Sequence, residues 1–317
     1  MKTLFCTSTD NNFIDGCATM IYSLRKNLQD FESNDLKVYY TNLSDAGKEK
    51  IRFAAGPECN LTFVKPDDMD YCDGATTIYG KENKDVYLCL ESFNQPEYDT
   101  VVCFDSDMLC INPFDYHVVA RNQADFAAVR TIQAGHHRPL STDGHKKVGQ
   151  DPKFTNFTEK INGGFWIIGK EWLTGKVYKN LREIVVKETR GISGADQETV
   201  NRYCRRKCSK SNFMMLPDGY NFKNWGGFGG DLKKNIGRGG DNLFQLCIDD
   251  IKIVHFSGRR KPWATHIKSS DPNDFCSITD LEGMSRSTAA KMWHEYYEEC
   301  FGEKCHSSIM VKTKCFK

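Results

Sequence analysis

One stretch constrains this chain more than any other: Val101-Val102-Cys103-Phe104-Asp105-Ser106-Asp107. Its apolar run, rich in strand formers, predicts a strand buried on both faces, as in a parallel sheet. The run ends in two acids separated by a serine. Carboxylates are costly to bury unless they are paired or bind a metal. Open α/β folds bind ligands at the carboxyl ends of their strands. The stretch therefore suggests acids held at a sheet's carboxyl edge. Taken alone, an Asp-x-Asp is more often an acidic turn capping a strand, so the functional reading depends on residues further along.

Those residues alternate between strand and helix patterns. Residues 2–8 read as a strand, followed by Asp10, Asn11 and Asn12 as candidate helix caps. Ile14, Cys17, Ala18, Ile21, Leu24 and Leu28 then recur at helical spacing. Leu36–Thr41 is β-rich, Ser44 caps a predicted helix through Ala55, and Leu61–Val64 is a third strand. Such alternation implies parallel pairing with right-handed crossovers. Residues 65–83 read as a polar surface loop and Val86–Phe93 as a helix packed under the Asp-x-Asp strand. Strands are expected at Asp125–Arg130, Ile161–Ile168, Phe213–Leu216 and Ile251–Phe256, and helices at Glu171–Thr189, Gly194–Cys204 and Ser285–Phe301. Gly163 and Gly164, near the start of one strand, mark close approach by a ligand or by backbone. The long irregular stretch 131–160, with His136, His137 and His145, reads as a lid or binding loop, and 219–240, with Trp225 and Phe228, as a flexible loop with aromatic anchors. The three histidines lack a second ligand set at zinc spacing. The fold class is thus α/β, a mostly parallel central sheet flanked by helices. Residues 1–268 are expected to form the catalytic domain and 269–317 a helical, Cys-rich appendage.

Composition narrows the functional classes. With 317 residues, 27% charged and 39% hydrophobic, the chain can bury a sizeable core. Its net charge of +1 offers no basic field for nucleic acid, and no basic amphipathic helix argues for a membrane. The amino terminus turns polar too soon for a signal peptide. A cytoplasmic, reducing setting is therefore expected, with the 14 cysteines mostly free. The first strand is not followed by Gly-x-Gly-x-x-Gly, which argues against a dinucleotide cofactor. Gly226–Gly230 lacks the Gly-Lys-Ser/Thr ending of a phosphate loop.

Four motifs together carry a resemblance. They are Asp105-x-Asp107, Asn162-Gly163-Gly164, Asp196-Gln197 and His255-Phe256-x-Gly258-x-x-Lys261-Pro262-Trp263. In order and spacing they resemble the glycogenin-like enzymes of glycosyltransferase family eight, over roughly residues 2–265. Leu216-Pro217 followed by Tyr220-Asn221 adds to the match. The resemblance implies a single Rossmann-like nucleotide-sugar transferase fold of GT-A type, retaining chemistry, a UDP-sugar donor and manganese. It implies a metal held by Asp105, Asp107 and His255; magnesium also suits such oxygen ligands. It implies that Thr7, Ser8 and Thr9 bind the nucleoside, with Phe13 either stacking on uracil or acting as a staple into the first helix. Ser106, Gly258 and Lys261 would line the diphosphate, and Asn162, Gly163, Gly164, Asp196 and Gln197 the sugar pocket. Asp196, Gln197 and Lys261 would be the catalytic groups. The family carries a Lys or Arg on the helix before Asp-x-Asp; here the basic residue of that region is Lys84.

The chemistry fits these residue types. Negative charge builds on a departing diphosphate, and a divalent cation offsets it as a Lewis acid. Preorganised positive charge, as on Lys261, is usually the largest catalytic term. The expected reaction moves a hexose, glucose first among the candidates, to a protein or glycan hydroxyl; a homodimer is allowed for. Two alternatives stay open: a sugar-nucleotide pyrophosphorylase, for which the basic Gly-rich loop after the first strand is missing, and a non-catalytic sugar-nucleotide or glycan-binding protein.

Overall fold

The computed structural model describes residues 1–73, 76–77, 80–81, 84–130, 153–154, 160–189, 195–207, 212–223, 248–257, 261–263 and 288–305. Strand and helix alternate from the start: β1 (Thr3–Ser8), α1 (Ile14–Asn27), β2 (Asp35–Tyr39), α2 (Asp45–Ala55) and β3 (Asn60–Val64). Ser44 caps α2 as expected, its hydroxyl accepting from the Gly47 N–H at 3.1 Å. The cap expected for α1 is different. Phe13 occupies the N-cap position with no side-chain bond. Asp10 instead accepts the Asn12 N–H at 2.7 Å, a local turn that competes with capping.

The region 65–73 is only partly a surface loop. A 3₁₀ turn, Asp70–Cys72, buries Met69, Tyr71 and Cys72 in the core, so its apolar residues outweigh its polar average. A two-stranded hairpin, β4 (Thr76–Thr77) and β5 (Gly80–Lys81), follows. The helix expected at 86–93 is a ten-residue 3₁₀ helix, Lys84–Phe93. Then come β6 (Thr100–Asp105), β7 (Met108–Cys110), α3 (Val118–Arg121), β8 (Phe126–Arg130), β9 (Lys153–Phe154) and β10 (Ile161–Gly169). α4 (Gly175–Ile184), α5 (Ala195–Lys207), β11 (Phe213–Leu216), β12 (Phe222–Lys223), β13 (Ile253–His255) and α6 (Thr288–Phe301) complete the described chain.

Eight strands form one sheet in the order β3-β2-β1-β6-β10-β8-β11-β9. β10 runs antiparallel between β6 and β8, and β9 antiparallel at the edge; the other pairings are parallel. The Asp-x-Asp strand is buried on both faces, as its apolar run requires. Val101 and Cys103 join one core with Leu88, Trp166 and Leu181, while Val102 and Phe104 join the other with Ile21, Ile51 and Ile167.

Two features of topology create the site. Ser8 pairs with Asp105 and Phe104 with Phe165, so the carboxyl ends of β1 and β6 meet the amino end of the reversed β10. A second sheet, β12-β13-β7, leaves the main sheet just beyond the acids and pairs His255 with Met108. A third core holds that sheet: Leu109, Val254, Trp263 and, from α6, Ala289, Trp293 and Tyr297. Among the described residues no helix is long and apolar enough to cross a membrane.

Candidate active site

Asp105 ends β6, Asp107 lies in the turn beyond it, and His255 ends β13. The Phe256 N–H donates to the Asp107 carbonyl at 2.9 Å, which ties β13 to that turn. One ligand atom from each of the three residues lies within 4.8 Å of the other two. His255 Nε2 is 3.2 Å from Asp107 Oδ1 and 3.7 Å from Asp105 Oδ2. The close approach needs Gly164: a Cβ there would sit 2.6 Å from His255 Cε1. The glycine thus admits a side chain, where the sequence suggested ligand or backbone.

Hydrogen-bond polarity fixes what His255 presents. The Gly164 N–H can only donate, and it donates to Asn162 Oδ1 at 3.1 Å. Asn162 Oδ1 therefore also accepts from Asn221 Nδ2, at 2.6 Å. That orientation turns Asn221 Oδ1 toward His255 Nδ1, 2.8 Å away. An amide oxygen only accepts, so Nδ1 carries a proton, and in the neutral ring Nε2 is left as a lone pair. A lone pair then faces the buried Asp107 Oδ1, which has no hydrogen-bond partner. Two electron-rich atoms at that distance repel unless a cation lies between them. The donor set, two carboxylate oxygens and one imidazole, suits a divalent cation such as manganese or magnesium. The Asn221 amide holds the ring from the far side, as the partner of a metal-binding histidine does. The three residues fit a divalent cation.

Charge around the acids is uneven. Burial pushes Asp107 up, but Lys261, joined by His255 when its ring is charged, outweighs it and holds the carboxyl well below the usual range. Lys261 Nζ bonds Asp107 Oδ2 and donates to the Phe256 carbonyl at 2.8 Å. It is buried, not a solvated surface lysine. Burial, then the neighbouring Asp107, push Asp105 up to about 7. Its side chain keeps 40% of its exposure, so water screens part of that push.

The motif Asn162-Gly163-Gly164 meets Asp196-Gln197 across the edge of β10. Gln197 Oε1 accepts from Asn162 Nδ2 at 2.9 Å and from the Gly163 N–H at 3.0 Å. A Cβ on Gly163 would sit 2.9 Å from Asp196 Oδ2. Burial pushes Asp196 up to about 6, opposed by the Gln197 N–H and the Cys89 thiol. One chain of contacts therefore runs Gln197–Asn162–Asn221–His255–Asp107–Lys261.

A family model described as glycosyl transferase family 8 matches residues 5–266. The chain belongs to this family. As a family 8 enzyme it is a retaining glycosyltransferase, and its fold is the GT-A fold of that family. Among solved structures, the galactosyltransferase LgtC in complex with donor and acceptor sugar analogues aligns over 93% of this chain and 95% of its own, at 14% identity and TM-score 0.56. An active-site glutamine-to-glutamate mutant of LgtC aligns over the same shares at 16% identity and TM-score 0.57. GlyE from Streptococcus pneumoniae aligns at 14% identity and TM-score 0.53, over 94% of this chain but 60% of its own length. No curated protein sequence matches the chain significantly.

On this family 8 frame, the remaining candidate residues fall as follows. Thr7, Ser8 and Thr9 lie at the carboxyl end of β1, level with Asp105; the buried Thr7 hydroxyl has no hydrogen-bond partner, and Thr9 donates to the Asp10 carbonyl at 3.3 Å. Ser106 is buried between the acids. Phe13 lies edge-on to Trp263, ring centroids 5.7 Å apart, with Lys261 Nζ over its ring at 5.5 Å. Trp263 in turn packs against Trp293 at 5.5 Å. Gly258 lies outside the described residues, as do Trp225, Phe228 and the three loop histidines. Lys84 does not reach the acids but pairs with Asp73. Two functional contacts escaped sequence reasoning. The role of Asn221 follows only from the bonding pattern, although it stood in a recognised segment. Cys89, whose sulfur is 3.4 Å from Asp196 Oδ2, looked like an ordinary apolar helix position.

Proposed function

We propose that this enzyme transfers a hexose from a UDP-sugar, glucose first among the candidates, to a hydroxyl of a protein or glycan, with manganese at Asp105, Asp107 and His255. One observation carries the proposal: an imidazole lone pair and an unpartnered carboxylate oxygen, far apart in sequence, aim at one point beside a sugar-pocket motif. A divalent cation bound there supplies Lewis-acid stabilisation to the departing diphosphate.

The chain's own groups account for the rest. Asp107 and His255 stay preorganised through Lys261 and Asn221. Lys261 keeps positive charge next to the developing phosphate charge. Asn162 and Asp196 read sugar hydroxyls. Gln197 Oε1 already accepts two hydrogen bonds, which leaves it a poor nucleophile. Its amide N–H groups remain as donors toward the sugar. This favours attack by the acceptor hydroxyl on the face the UDP leaves, with Gln197 supporting rather than bonding the anomeric carbon. A reducing, cytoplasmic setting suits the ten free thiols among the described residues.

The test is a panel of UDP-hexoses scanned for thermal stabilisation with and without manganese, followed by hydrolysis and transfer assays with anomeric analysis of the product. The proposal expects manganese-dependent stabilisation and turnover that Asp105→Ala removes. Binding without turnover would favour a non-catalytic binding protein. Full activity in Asp105→Ala would remove the metal assignment.

A further inference from the structure

The 3₁₀ helix Lys84–Phe93 brings Cys89 to the sugar side of the site. Its thiol is buried, and its sulfur lies 3.4 Å from Asp196 Oδ2 and 3.5 Å from the Val86 carbonyl oxygen. One proton thus faces two acceptors. An ionised carboxylate is a much stronger acceptor than a peptide carbonyl, so the S–H points at Asp196. Burial, and then the Asp196 charge, keep the thiol protonated, which makes it a donor and not a thiolate.

The surroundings of Asp196 support a role for that contact. Gly163 leaves no room for a Cβ beside the same oxygen, so Oδ2 is held between β10 and the thiol. Among the described residues no lysine or arginine pairs with Asp196. Lys84, the basic residue of the same helix, pairs with Asp73, and Lys261 with Asp107. The carboxylate therefore rests on neutral donors and keeps its full charge for whatever enters the pocket.

We infer that Cys89 is a positioning residue: its S–H fixes Asp196 so that the carboxylate's remaining acceptor capacity meets hydroxyls of a neutral hexose. The inference rests on the UDP-hexose reading above and names one class of sugar within it. A carboxylate held by a neutral thiol welcomes hydroxyl donors and repels a second carboxylate, so hexuronic acid donors are disfavoured.

The experiment compares binding of UDP with that of the UDP-hexose which stabilises the wild type most, both with manganese, in wild type, Cys89→Ala and Cys89→Ser. UDP lacks the sugar and does not sense Asp196. Cys89→Ala should bind UDP as wild type does but bind the UDP-hexose roughly fivefold more weakly, the scale of one ordinary hydrogen bond, since an S–H is a weak donor. Cys89→Ser, which keeps a donor, should recover most of that loss. UDP-glucuronate should bind the wild type no better than UDP alone. The inference is overturned if Cys89→Ala binds the UDP-hexose as tightly as wild type, or if UDP and UDP-hexose weaken together, which marks a purely structural role. If wild type binds neither ligand with manganese, the UDP-sugar reading itself fails and the inference falls with it.

Discussion

Two regions of this molecule bury acids, and they treat them in opposite ways. Beneath the sheet, Glu91 sits in a knot with Tyr178, Arg182 and Asp68. Tyr178 donates to Glu91, Arg182 pairs with Asp68, and the guanidinium lies 4.4 Å over the ring of Tyr71. Burial raises the Glu91 carboxyl, and neighbouring donors and charge oppose it. That region closes on itself. At the sheet's carboxyl edge, Asp107 Oδ1 is equally buried yet has no donor, and it faces an imidazole turned to offer a lone pair. Burial of an acid therefore says little about function. An acceptor left open opposite another acceptor is a place a cation fits.

The contrast predicts unequal responses to similar changes. Asp107→Asn removes the charge that a cation needs and should lower manganese-dependent transfer by roughly a thousandfold, measured by turnover at saturating UDP-hexose. Asn221→Leu leaves the three ligands but frees the imidazole to reverse its tautomer. Manganese affinity, followed by titration, should fall by about 10–100-fold, the usual loss when the group that orients a metal-binding histidine is removed. Glu91→Gln should cost about 1–3 kcal/mol of stability in denaturant melts, because a buried donor loses its charged partner. Its turnover by folded enzyme should be nearly unchanged. Equal loss of transfer in Glu91→Gln and Asp107→Asn would break the comparison.

Protonation sharpens it further. Asp105 and Asp196 carry carboxyls raised to about 7 and about 6. Between about pH 4 and those values the folded chain holds protons that the unfolded chain has released. Their contribution to stability is thus present at low pH and falls as pH rises through that window. Asp107, with a lowered carboxyl, acts the opposite way: it contributes stability above about pH 4 that is lost as pH falls. Melting at pH 5.5 and 7.5 without metal should show a shallower decline in Asp105→Asn than in wild type. Manganese should shrink the wild-type decline, since it favours the ionised form. An identical decline in both proteins would show that Asp105 does not carry the charge assigned to it.

Much of this architecture was readable from the chain. The apolar run into Asp105, the alternation through β3 and the capping serine before α2 are local signals, and local signals survive folding. The meeting of His255 with the acids could be inferred only from motif resemblance, because it depends on a second sheet that reverses direction at β7. Other features were hidden for physical reasons. The Asp10 turn displaces a cap by using the same backbone donors. Lys84 is drawn to Asp73, a partner whose position depends on tertiary structure. Cys89 reads as a buried apolar residue in any helical pattern; its meaning comes from α5, more than a hundred positions later. Asn221 matters through which way its amide faces, and that is set by the backbone N–H of Gly164.

The central claim is that His255 Nε2 and the carboxylates of Asp105 and Asp107 hold one divalent cation against a diphosphate. The most direct measurement is a manganese titration followed by electron paramagnetic resonance, with and without UDP, on wild type and His255→Ala. The account predicts one bound manganese per wild-type chain, tightened by UDP, and at least a tenfold weaker site in His255→Ala. Equal manganese binding by both proteins, or binding that UDP does not strengthen, would contradict it.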